Sequence, residues 1–319
     1  MARTLVYRMW PFAWGGLDEM TEHLTRVKEL AADYVCLGPL APLPTYDHIC
    51  ELTDLMVIDR RFGTLQDFDD FVATAHRLGI KVLMELCLDS VSPYRPYENA
   101  LDWLPDDKLN YRLARKFKKI VNFWLREHSI DGFNLRPSRS LDEYLSGNKS
   151  RSYDFPANIQ VTEAINAIFV RHCPPKTRSG KHPFLMLECL DQTPSGDIMG
   201  YYYCYTPVDF IMNVAFKDAI DGGLGAFQAK LDAMAQKPYF MLDVESPDSE
   251  RFTTRSGLTA TGVAEVMFES QAQGICLYQG QEVAATESTR SALPPEKYSY
   301  RGVYSMYCLV ASSWKHRQR

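Results

Sequence analysis

The residues best placed to do chemistry are carboxylates and arginines that close short apolar runs. Glu188 ends the run Phe184–Glu188, and Asn134 and Arg136 end the run Gly132–Arg136. Asp248 lies in a turn-like Ser-Pro-Asp-Ser, Arg251 follows three residues later, and Asp47 lies between two further runs. A carboxyl group at such a place can move a proton or stabilise a cation, and it can equally be half of an ion pair. Both uses are open for Glu188. Asp248 can also be a simple turn residue, because a short acidic side chain satisfies nearby backbone. Residues 134 and 136 are two apart, so on a strand they point to the same side. An arginine there is a permanent cation, able to bind an anion or to neutralise Glu188 and Asp248.

Other chemistries have less support. The seven histidines show neither H-x₃-H nor H-E-x-x-H spacing, so no metal is expected, and no cofactor motif stands out. Gly222-Gly-Leu-Gly225 lacks the Gly-Lys-Ser/Thr of a phosphate loop. The eight cysteines form no C-x-x-C pair and mostly sit in apolar runs, as buried thiols of a reducing compartment do. A net charge of −5 gives no electrostatic case for nucleic acid or an anionic membrane. The N-terminal residues lack the apolar core of a signal peptide, and no apolar run approaches the roughly 20 residues that span a bilayer. The expectation is a cytoplasmic protein with a small-molecule ligand.

The elements that must position these residues alternate along the chain. Strand-like runs fall at Leu5–Met9, Tyr34–Leu37, Lys81–Glu85, Gly132–Arg136, Phe184–Glu188, Val208–Asn213, Tyr239–Asp243 and Gly274–Tyr278. Helical patterns fall at Leu17–Ala32, Thr64–Leu78, Leu109–His128, Asn158–His172, Gly225–Ala235, Gly257–Ala272 and Tyr298–Lys315, with a weaker one near Gly196–Tyr203. Continuous apolar strands that alternate with helices predict a parallel sheet covered on both faces. Eight such units fit a closed (β/α)₈ TIM barrel, α/β in class, with its site at the C-terminal ends of the strands. Thr64 and Gly79 suit the N-cap and the C-terminal glycine of the helix between them. Trp10-Pro-Phe-Ala-Trp14 follows the first strand and reads as lid packing or as a sugar platform.

Several segments, in order, resemble landmarks of the α-amylase superfamily, glycoside hydrolase family 13. Asp54–Thr64 ends in the Phe-Gly-Thr of that family's second-strand region. Glu85-Leu-Cys-Leu-Asp89-Ser90 is similar to its third-strand Asp-x-x-x-Asn-His, and Asp131-Gly-Phe-Asn-Leu-Arg136 to its fourth-strand Asp-Gly-Phe-Arg-x-Asp. Phe184–Glu188 resembles the fifth strand, Glu245-Ser-Pro-Asp248-Ser-Glu-Arg251 the seventh, and Leu277-Tyr-Gln-Gly-Gln-Glu282 the segment after the eighth. The likeness runs from about residue 5 to 315. It implies a single domain over 1–319, with the family's insertion after strand three reduced to about 90–110 and no C-terminal β-sandwich.

The resemblance also implies roles. Glu188 would be the acid/base, Asp248 the carboxylate that stabilises the transition state, and Asp47 with Arg251 the pair that holds a terminal sugar. Retaining hydrolysis needs a nucleophilic carboxylate about 5 Å from the acid/base. At that position this chain has Arg136, and Asn134 stands where the family has arginine. A guanidinium offers no lone pair. Its repulsion of a developing cation at 4 Å, with an effective dielectric near 20, is on the order of 4 kcal/mol. Cys50, Ser90 and Pro247 replace the family's Tyr, His and His. The expectation is a non-hydrolytic, ligand-binding relative with a sugar-like or anionic ligand. The alternative is repurposed chemistry with Glu188 and Asp248 as acid/base and Arg136 holding the ligand. An active α-glucosidase or transglycosidase with Glu85 or Asp89 as nucleophile comes last.

Overall fold

The computed structural model describes residues 3–42, 55–87, 118–136, 176–189, 208–213, 219–234, 237–247, 249–293, 297 and 301–317. Eight parallel strands close into a barrel in chain order. They are β1 (Thr4–Met9), β2 (Tyr34–Leu37), β3 (Lys81–Cys87), β4 (Gly132–Arg136), β5 (Phe184–Cys189), β6 (Phe210–Asn213), β7 (Phe240–Leu242) and β8 (Gly274–Tyr278). Closure is made by β1 against β8, with Thr4 opposite Gly274 and Arg8 opposite Tyr278. All eight predicted runs are strands. β3 runs two residues longer than its apolar pattern, and β6 and β7 start later than theirs.

Alternate residues face opposite ways, so the barrel has two cores. Val6, Cys36, Leu83, Met186, Phe210, Met212, Met241 and Cys276 fill the inside. Their neighbours, such as Tyr7, Val35, Val82, Phe133 and Leu187, pack outward in the larger core that holds the helices. The described helices are α1 (Leu17–Glu29), α2 (Leu65–Arg77), α3 (Gly223–Met234), α4 (Ala260–Glu269) and α5 (Arg301–His316). A π-helical turn at Phe123–Glu127 precedes β4. A short helix, Phe252–Arg255, lies just before the predicted Gly257–Ala272 pattern, and within that pattern α4 starts only after the Thr259 cap. The predicted helices over Asn158–His172 and near Gly196–Tyr203, and the reduced insertion about 90–110, lie outside the described residues.

Chain direction at the N-terminal end is set by a recurring turn. Ala31, Gly79 and Ser129 adopt φ of 58°, 76° and 59°. Each is followed by a buried apolar residue, Ala32, Ile80 or Ile130, that leads into the next strand. Acids beside the strand starts then link neighbours: Leu5 N–H donates to Asp33, Val82 N–H to Asp131 and Leu185 N–H to Asp209, at 2.8, 2.9 and 2.8 Å. Gly132 has a steric reason. A Cβ there would lie 1.9 Å from the carbonyl oxygen of Phe184. Thr64 caps α2 in a reciprocal capping box with Asp67, as its position predicts.

Candidate active site

The innermost strand positions change character toward the C-terminal end, from apolar to ionic. Arg8 on β1 is 1% exposed, and one guanidinium nitrogen, Nη2, reaches Glu188 Oε1 on β5 at 2.8 Å and also bonds Glu85 Oε1 on β3. Asn134 on β4 sits between the same two acids, its amide donating to Glu188 Oε1 at 3.4 Å and to Glu85 Oε1 at 3.5 Å. Carboxylates only accept, which fixes the amide with its nitrogen toward them. Glu85 Oε2 and Asn134 Oδ1 are buried without a hydrogen-bond partner among the described residues. Asp243, just past β7, adds a third buried acid. Burial pushes the Cys36 thiol on β2 up to about 12, against the pull of the Arg8 cation. Burial also raises the Tyr278 phenol on β8.

A second ionic centre joins the loops after β7 and β8. Arg251 is 1% exposed and donates to Glu245 Oε2 at 2.7 Å, to the Gln279 carbonyl at 2.7 Å and to the Glu287 carbonyl at 3.1 Å. Glu245 accepts the Phe252 N–H at 3.0 Å as well. Burial raises its carboxyl above the usual range, while Arg251 pulls it down. A cavity of about 420 Å³ opens beside Arg251, lined by Pro247, Ser249, Thr254, Thr286, Thr289 and Arg290 among others.

The aromatic loop after β1 packs rather than projects. Trp10 is 2% exposed and clusters with Ala13 and Tyr278. A Cβ on Gly38 would lie 2.6 Å from the Trp10 ring, so glycine is needed for the indole to lie there. Gln279 Oε1 accepts both the Trp10 N–H and the Trp14 indole N–H at 2.7 Å. Phe12 meets Phe62 edge-on, with ring centroids 4.8 Å apart.

The structure therefore brings Glu188 and Asn134 together and places Arg251 in the separate centre under the β7 and β8 loops. Arg136 is the last residue of β4, one step past the Leu135–Leu187 pair, with Glu188 one step past it on β5. Asp47 and Asp248 lie outside the described residues. Sequence reasoning missed Arg8 and Glu245. Both carried a signal: an arginine inside an otherwise apolar strand and an acid before a buried loop both require a partner. Among the described residues, no group of three or more His, Cys, Asp or Glu could hold a metal. No described helix is long and apolar enough to cross a membrane.

An eight-stranded parallel barrel with ionisable residues at the C-terminal ends of its strands defines the class. The comparisons add a likeness in sequence. A model for the α-amylase catalytic domain matches residues 10–111. A probable α-glucosidase of Rhizobium meliloti is 31% identical over 101 residues, covering 29% of this chain and 18% of the relative. Maltase A1 of Drosophila melanogaster is 20% identical over 86% of this chain and 62% of its own length. Among solved structures, a noncanonic maltogenic α-amylase from Thermotoga neapolitana superposes with a TM-score of 0.69 at 19% identity, over 98% of this chain and 77% of that one. The first third of the chain is thus similar to α-amylase catalytic domains, and the barrel as a whole shares the fold of the solved α-amylases. The chain spans less than a fifth of the curated relative first named.

Proposed function

We propose that this barrel is a non-hydrolytic member of the α-amylase superfamily, glycoside hydrolase family 13, that binds a small, polar, sugar-like ligand at the C-terminal ends of its strands. The observation that carries the proposal is Arg136 at the end of β4, where the resemblance puts the nucleophile. A protonated guanidinium cannot attack an anomeric carbon. The Glu188 contact supports the same reading. An acid/base must give up and retake a proton, whereas this carboxyl is buried against the Arg8 cation. That contact also works against the alternative in which Glu188 and Asp248 run general acid catalysis beside Arg136.

The test pairs turnover with binding. Purified protein should release no product from a nitrophenyl α-glucoside or from maltose above the buffer rate, and its melting temperature should rise with millimolar maltose or glucose. Turnover that disappears in Glu188→Gln would overturn the proposal. Absence of both turnover and a melting shift would remove its sugar-like ligand.

A further inference from the structure

We infer that Gln279, the residue after β8, is a positioning residue of the barrel mouth. Its side-chain carbonyl clasps the aromatic Trp10–Trp14 loop, while its main chain is tied to β1 and to Arg251. The inference rests on the proposed function only in treating that loop as a wall of the ligand site.

Gln279 is 1% exposed, and its Oε1 accepts from the Trp10 N–H and from the Trp14 indole N–H, both at 2.7 Å. An amide oxygen has two lone pairs, so one atom can serve both donors. The pair also fixes the amide, because a flipped group would set its NH₂ against two N–H groups. The main chain has partners of its own. The Gln279 N–H donates to the Arg8 carbonyl at 3.0 Å, and the Gln279 carbonyl accepts from Arg251 Nη1 at 2.7 Å. One residue therefore joins the loop after β1, β1 itself and the ionic centre after β7.

The two gripped residues flank a single turn. Pro11–Ala13 is a 3₁₀ turn, closed by the Ala13 N–H on the Trp10 carbonyl at 2.9 Å and the Trp14 N–H on the Pro11 carbonyl at 3.1 Å. Gln279 holds the residue before this turn and the residue after it, so the turn is fixed at both ends. Ring packing alone does not do this. Trp10 packs with Ala13 and Tyr278, Phe12 with Phe62, and the Trp14 ring lies 4.7 Å from the His23 ring, between centroids. Apolar contact is non-directional and allows a loop to slide, whereas two short hydrogen bonds on one buried atom set its height. A ligand at the mouth then meets a wall that was in place before it arrived, and little ordering is left to oppose binding.

Exchange of indole protons with water tests the clasp. In nitrogen-labelled protein the five tryptophans give separate indole N–H signals by magnetic resonance, and Trp14→Phe assigns one of them by removing it. Gln279→Met keeps the length of the side chain and loses the acceptor, and Gln279→Glu keeps an acceptor oxygen. The Trp14 indole proton should exchange at least about tenfold faster in Gln279→Met than in wild type, and Gln279→Glu should bring it back to within about threefold. A residue that only fills space would be replaced by methionine without change. Wild-type exchange in Gln279→Met, or exchange in Gln279→Glu as fast as in Gln279→Met, overturns the inference. If Gln279→Met does not fold, the wild-type protein decides: protection of the Trp14 proton by about a hundredfold or more over a free indole supports the clasp, and less overturns it. No ligand enters this measurement. Hydrolysis of an α-glucoside, or failure of maltose to bind, would end the proposed function and leave the clasp standing.

Discussion

The two ends of the barrel handle acidic side chains in different ways. At the N-terminal end, Asp33 and Asp131 are partly exposed, and with Asp209 they accept backbone N–H groups from neighbouring strands. At the C-terminal end, Glu85, Glu188 and Glu245 are at most 3% exposed, and each lies against a guanidinium. An acid near water needs only one good donor, because solvent screens its charge. An acid out of water needs an opposite charge, and its partner's removal exposes the full desolvation penalty. The N-terminal acids therefore act as buckles, while the C-terminal acids are tied to cations that are themselves fixed.

The sharpest way to break this contrast is Arg251→Met. It strands Glu245 and should cost about 3–5 kcal/mol in urea unfolding at neutral pH. Burial already raises the Glu245 carboxyl, so without Arg251 folding takes up a proton, and the loss should be larger at pH 8 than at pH 5. A loss that ignores pH would contradict the assignment.

At the other end, Asp131→Ala removes the acceptor for Val82 N–H and the partner of His76, 2.8 Å away, and should cost about 1–2 kcal/mol. Asp131→Asn should lose less, because an amide oxygen still accepts the backbone donor. If Asp131→Ala were as damaging as Arg251→Met, the distinction between the two ends would fall.

The smallest effect should come from His76 itself. Its hydrogen bond to Asp131 raises its pKa, burial lowers it, and the Asp131 charge adds to the rise. A raised base contributes stability that is complete below about 6.5, the ordinary histidine value, and is lost as pH rises through the folded value. The ring is 38% exposed, so solvent screening keeps the contribution to about 0.5 kcal/mol or less. The difference in urea midpoint between pH 6 and pH 9 should shrink in His76→Gln.

The strands were legible because a sheet covered on both faces writes itself as continuous apolar runs, and Tyr34–Leu37, Gly132–Arg136 and Gly274–Tyr278 keep their predicted bounds. Helix ends marked by Thr64 and Gly79 were equally plain. Glu188 and Asn134 could be placed at the strand ends from the same runs. Arg8 could not be paired from the sequence, since its partners lie 77 residues or more away and meet it only when the barrel closes. The resemblance ties Arg251 to a sugar and to Asp47, which lies outside the described residues, and its contacts with Glu245, the Tyr278 ring and two carbonyls, one of them in the loop before α5, join segments that no local pattern relates. Local pattern gives the element and its inward phase. Which charges meet across the interior is a property of closure.

The recurring turn before β2, β3 and β4 separates conformation from residue type. Alanine, glycine and serine occupy the same left-handed corner, although only glycine does so without strain. The residues after the buried apolar position differ too: Asp33, Lys81 and Asp131. No repeat of letters marks these three places, yet the chain bends the same way at each. The requirement for a helix end that turns into a strand is therefore met by three different residues, and torsion angles record it where letters do not.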